Sequence, residues 1–367
     1  MAEDFNKTSK NPEIKVDEIL KSLIENNKTP SAQYIIFDKD KIIHKFHNGF
    51  SDINNQKKVD KNTTYNVFSV TKTFTALAVL QLAEKGHFII DDSVKLHLPD
   101  FPYSSDITIR QLMTHSSGIP NPNPLSWIHL AKEHQFFDRN KFFNQIFKKN
   151  NKTISKPNEK FRYSNLGYVL LGQLIEKVSG QSYEAYVRDH IIKPLEINPT
   201  ELDFEIFDTT QYAKGYQKKL SLLNWISGIF IDKSTYMNKA EGKWKPYKNF
   251  YVNGTPHGGL IGSPNAFVKY LQELLKPNCR LLSDDFKQML FTENFTNNNI
   301  ATGMCLSWFK YQLNGQKYFA HAGGGGGYYC EIRIYPKIGI GSVIMFNRTG
   351  ITDEHFLNKL DKYYIRN

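Results

Sequence analysis

Cysteine is scarce: Cys279, Cys305 and Cys330 are the only three in 367 residues. An odd number with no Cys-x-x-Cys spacing excludes a disulfide scaffold and a thiolate zinc site. Long hydrophobic runs are missing too. No stretch reaches the roughly 20 apolar residues needed to cross a bilayer. Met1 to Lys15 is polar, so no signal peptide is read there. The expected compartment is the cytoplasm, or the periplasm or cell exterior if a leader has been removed. Blocks of a single charge are also absent. The net charge of +11 comes from lysines scattered among acidic and asparagine residues. Such a dispersed surface, with no recognised motif, makes nucleic acid an unexpected partner.

What is present is apolar material for a large core, 40% hydrophobic and 14% aromatic. The length suits two or three lobes, or one large domain carrying an insertion. Glu13 to Asn26 reads as an amphipathic helix. Gln33–Phe37 and Lys41–Phe46 read as a hairpin. Pro124 to Asn150, Leu166 to Val178 and Tyr183 to Ile192 are helical in pattern. Residues 205–256 are aromatic and weakly periodic. Within them, Leu220 to Ile231 is an apolar run too short to span a membrane. That segment is expected either to overhang the site as a lid or wall, or to be core, and it is where membrane contact would occur. An Asn314-Gly315 hairpin with Tyr328–Tyr335 and Ser342–Asn347 counts as three C-terminal strands. A closing helix is expected at about Asp353–Tyr364.

The fold class expected is therefore α/β (α+β). A five-stranded antiparallel sheet is flanked by N- and C-terminal helices, and an all-α lobe is inserted. Residues 1–105 and 257–367 form the sheet lobe, 106–256 form the helical lobe, and the site lies between them.

Ser69-x-x-Lys72 opens a helix that is apolar on almost every side, Thr73 to Ala83. A helix of that kind is buried in the middle of its domain. Serine and lysine one turn apart project from one face. Unpaired N–H groups at the helix start favour an oxyanion, and desolvation makes the lysine a usable base. Alone, the pattern reads first as a helix cap followed by a solvated lysine. Alone, too, Tyr163 reads as a packed tyrosine, Asn165 as a helix cap and Gly323–Gly327 as a turn. His115 is a candidate base or metal ligand, but no second ligand sits at helical spacing, so the packed structural reading leads. His44 and His47 fall on opposite faces of a strand. No metal site and no organic cofactor are expected.

Taken together, Ser69-x-x-Lys72, Tyr163-x-Asn165 and His321-Ala322-Gly323 resemble the motifs of the penicillin-recognising serine hydrolases. The likeness is to the class C β-lactamase and D-alanyl-D-alanine carboxypeptidase branch, which also holds esterases and D-aminopeptidases. Ile107–Gly118, Phe161–Tyr168, Pro194-Leu195 and Gly258-Gly259-Leu260 resemble shared segments of that branch in the same order. The resemblance implies Ser69 as nucleophile, Lys72 and Tyr163 as proton handlers, and Asn165 as the group that orients a substrate amide. It implies that His321, Gly323 and Gly324 bind substrate, with the N–H groups of Ser69 and Gly324 as the oxyanion hole. The expected substrates are peptides or amides bearing D-amino acids, peptidoglycan-type peptides included, or small esters. A non-turnover β-lactam or peptidoglycan sensor, or a filament-forming homologue, is the alternative. Oligomeric state is left open. One departure is His321, where class C β-lactamases usually carry lysine. Its partial charge near neutral pH is expected to hold a substrate carboxylate less firmly.

Overall fold

The computed structural model describes residues 11–221, 232–350 and 355–366. The chain opens with helix α1 (Pro12–Glu25), capped by the Asn11 side chain, which accepts the Glu13 N–H. Strands β1 (Ser31–Asp38), β2 (Ile42–Asp52) and β3 (Lys57–Lys58) follow, and β4 (Phe309–Leu313), β5 (Gln316–Gly325), β6 (Tyr328–Tyr335) and β7 (Ile340–Phe346) close the chain. They form one sheet in the order β4-β5-β6-β7-β1-β2-β3. Every pairing is antiparallel.

The sheet has seven strands where five were expected. Both arms of the Asn314-Gly315 hairpin are separate strands, and the two-residue β3 lines the outer edge of β2. The hairpin's arms, read as Trp308–Leu313 and Gln316–His321, count as one strand in that expectation, and the two-residue β3 is too short to show a pattern. The central strand β1 is buried on both faces, with side chains alternating as the pleat requires. Ala32, Tyr34 and Ile36 meet Val16 and Leu20 of α1. Ile35 and Phe37 face the main core.

That core surrounds helix α2 (Thr71–Glu84), in which every residue from Thr71 to Leu82 is buried. Helix α3 (Ile109–Met113) starts at a capping box between Thr108 and Gln111. Helix α4 (Asn165–Ser179) is capped by Ser164 and packs on α2. Its Gly172 leaves room for the Pro256 ring, which a Cβ there would strike. So α4 seats the short helix α5 (Thr255–Gly258) against α2. Helix α6 (Pro264–Leu275) then covers β1 and β7.

The middle is less helical than its pattern suggests. Ile128–Leu130 is a strand paired with Phe250–Val252, because tertiary pairing overrides local preference in a short apolar run. Arg139–Lys149 is the helix of that stretch. Trp244, Tyr247 and Phe250 are buried core residues, while 222–231 lies outside the described residues. The closing helix is a single turn, α7 (Asn358–Asp361), among the described residues. It is pinned rather than propagated: the Asp361 carboxylate accepts from Tyr34, Tyr335 and Ser342 beneath it. Beside it, the fully buried Arg333 guanidinium donates to the Glu331 carboxyl at 2.6 Å.

Candidate active site

Ser69 sits in one 3-10 turn, Phe68–Val70, just ahead of α2. Phe68 holds a left-handed backbone, φ +48°, a strained conformation for a phenylalanine. Lys72 is the second residue of α2, so its side chain runs back over the serine. Lys72 Nζ is 3.0 Å from Ser69 Oγ and donates to the His257 carbonyl at 2.7 Å. No part of Lys72 reaches solvent, and burial holds its amine well below the ordinary lysine range. Tyr163 donates its O–H to the same Ser69 Oγ at 2.8 Å. The serine oxygen therefore lies between an amine and a phenol.

Asn165 is not the helix cap, since Ser164 takes that place. Its backbone and side-chain N–H groups both donate to Asn121 Oδ1, at 3.0 and 3.2 Å. The Asn165 Oδ1 is buried and has no partner among the described residues.

His321 departs from expectation. It is not partly charged, being 1% exposed with its pKa lowered to about 3 by burial and by Lys72. Its Nδ1 lies 2.5 Å from the Ser307 carbonyl, so that nitrogen carries the proton and Nε2 keeps a lone pair. The expected weak carboxylate anchor is thus an uncharged imidazole.

The glycines are not a loose turn. Gly323, Gly324 and Gly325 extend β5 opposite Cys330, Tyr329 and Tyr328. The turn itself is Gly326-Gly327, with φ +47° and +95°. A Cβ on Gly323 would run into the Val67 carbonyl and stand 2.7 Å from Ser69 N. The close approach there is made by the backbone of the Ser69 turn. A Cβ on Gly324 would meet nothing nearer than 3.4 Å. Gly323→Ala is therefore expected to lower kcat/KM about 100-fold by displacing the Ser69 turn. Gly324→Ala should stay within a few-fold. Ester hydrolysis by the two purified variants checks this, and equal rates would contradict it.

Two cavities meet at Ser69. The wider, about 700 Å³, is walled by Phe161, Phe309, Tyr311, His321 and Gly323–Gly325. The narrower, about 100 Å³, lies between Phe68, Trp127, Tyr247, Val252, Asn165 and His257. Part of 205–256 is thus a wall of the site, through Tyr247 and Val252.

Four contributors were not assigned a part from sequence. His257 supplies the carbonyl on Lys72 and follows Pro256 into a Gly-Gly pair, a visible signal. His115 is packed, as read, but directly against the Tyr163 ring, with centroids 4.2 Å apart. Its Nδ1 accepts the Ser164 N–H. Asn121 and Ser307 left no signal, Ser307 acting only through its carbonyl at φ +70°.

The beta-lactamase family matches residues 16–363. Protein flp of Staphylococcus aureus (strain MW2) is 31% identical over 55% of this chain and 41% of its own length. Penicillin-binding protein 4* of Bacillus subtilis (strain 168) is 27% identical over 76% of this chain and 60% of its own. The chain spans about half the length of these curated relatives. The solved D-amino acid amidase of Ochrobactrum anthropi SV3 superposes with a TM-score of 0.78 at 16% identity, covering 96% and 98% of the two chains, a likeness of fold. With the match running over nearly the whole chain, this protein belongs to the beta-lactamase family.

Proposed function

We propose that the protein is a serine hydrolase working through an acyl-enzyme on Ser69. Its substrates are D-amino-acid-containing peptides or amides, or small esters. The observation that carries this reading is the serine oxygen held between Lys72 Nζ at 3.0 Å and Tyr163 OH at 2.8 Å.

A buried neutral amine can donate one N–H to the His257 carbonyl and still offer its lone pair to the Ser69 hydroxyl. In acylation the serine proton passes to Lys72 as Oγ bonds to the substrate carbonyl carbon. Tyr163 gives its proton to the departing nitrogen or oxygen as that bond breaks, and the Lys72 ammonium restores the phenol. Water then attacks the acyl carbon and frees Ser69. The N–H groups of Ser69 and Gly324 are the proposed oxyanion donors, each worth about 3–4 kcal/mol of barrier. The packing of Gly323 on the Ser69 turn supports their adjacency. Asn165, with its side-chain oxygen unpartnered, is suited to accept a substrate amide N–H.

The test is intact-protein mass spectrometry after exposure to a fluorophosphonate and, separately, to a penicillin. A fluorophosphonate adduct is expected on the wild type and on no Ser69→Ala sample. A penicillin adduct that never clears, with no steady turnover of any ester, would favour the sensor. Folded protein that gains neither adduct would overturn the hydrolase.

A further inference from the structure

We propose that this site selects uncharged acyl substrates, namely esters or amides whose departing group bears no carboxylate, with His321 as the specificity-determining residue. The inference rests on the hydrolase reading and narrows it. Neither cavity at Ser69 is lined by a lysine, an arginine or an acidic side chain among the described residues. Lys72, the basic side chain that reaches Ser69 among the described residues, is fully buried and engaged with Ser69 and the His257 carbonyl.

His355 and His257 also line these cavities, but His321, on β5 two residues before Gly323, holds the position expected of the anchor, and its geometry forbids that part. The Ser307 carbonyl at 2.5 Å fixes the proton on Nδ1. Nε2, buried and without a partner among the described residues, keeps an acceptor lone pair. A carboxylate offers only acceptors, so it would meet a lone pair, not a donor. Protonating Nε2 would place a cation in a buried, low-dielectric pocket with no carboxylate lining it among the described residues. Phe309 packs on the same imidazole, with centroids 5.6 Å apart. With Phe161 and Tyr311 it makes this wall of the cavity aromatic. An incoming carboxylate would lose its water and gain no positive partner. A neutral alkyl or aryl group would bury apolar surface there.

The test compares 4-nitrophenyl butanoate with its 3-carboxy-4-nitrophenyl counterpart, each rate divided by that ester's hydroxide rate. The fluorophosphonate adduct on Ser69 is measured on the same preparation. We expect kcat/KM at least ten-fold higher for the neutral ester. His321→Lys, with its fold checked by circular dichroism, should shrink that ratio several-fold by installing a cation. Equal rates, or preference for the carboxylate, on protein whose Ser69 takes the fluorophosphonate would overturn the selectivity while leaving the hydrolase standing. An unchanged ratio in folded His321→Lys would overturn the assignment to that position. Failure of Ser69 to label in folded protein would overturn both.

Discussion

Ser69→Ala and Lys72→Met are each expected to lower kcat by about four to six orders of magnitude, and the double variant should be no slower than either. The reason lies in the shared oxygen. Among the described residues Lys72 Nζ hydrogen-bonds Ser69 Oγ and the His257 carbonyl, so the proton it accepts comes from Ser69. Remove the hydroxyl and the amine has nothing to deprotonate; remove the amine and the hydroxyl has no base. Groups that act as one unit lose their effect together, and the losses do not add. Stability should move the other way. Lys72 keeps a nitrogen in a fully buried place, and methionine fills a similar volume without that desolvation cost. The melting temperature of Lys72→Met should therefore match or exceed that of the wild type. Steady-state ester kinetics and thermal melts on the three variants check both halves. Additive losses in kcat would show that Lys72 works outside the Ser69 unit.

How much of this was legible depended on how far apart the interacting groups lie in the chain. Ser69 and Lys72 share one helical turn, so spacing alone brought them to one face. Burial of the lysine followed from the apolar residues after it. Tyr163 lies 94 residues away in sequence, and only resemblance to a family related it to the serine. The seating of His321 was not legible at all. Its charge state depends on the carbonyl of Ser307, fourteen residues upstream, and on a left-handed backbone that nothing about a serine announces. Gly323 was read from resemblance as a substrate-binding glycine, yet the group packed against it is the Ser69 turn. Strand count failed at the edges for a related reason: β3 is two residues long, and pairing rather than pattern makes it a strand. The helical reading of Pro124–Asn150 failed where Ile128–Leu130 finds a partner more than a hundred residues later.

Unfolding should become sharply easier as pH falls from about 6.5 to 5, with a loss on the order of a few kcal/mol in the free energy of unfolding. Three buried histidines surround the site and stay neutral in the native protein. Burial holds His115 and His257 well below the ordinary range, and His321 at about 3. In the unfolded chain all three take up protons near pH 6.5. A group whose native pKa is depressed contributes stability above its unfolded pKa and loses it as pH falls. From these three the unfolded state binds up to three more protons than the native one, and His129 and His190, also lowered by burial, add to the uptake. Glu331 opposes this, because burial pushes its carboxyl up to about 7, so the native state holds a proton that the unfolded chain releases down to about pH 4.5. Asp361 is raised by burial too, and offsets part of the remainder. The net balance still favours proton uptake on unfolding, so the slope of stability against pH is on the order of a few kcal/mol per unit. That is a large share of an ordinary 5–15 kcal/mol. Urea denaturation at pH 7.5, 6.5 and 5.0 measures it directly. Equal stability at all three would mean that the histidines around Ser69 titrate in the native fold, and that His321 is available as a cation after all.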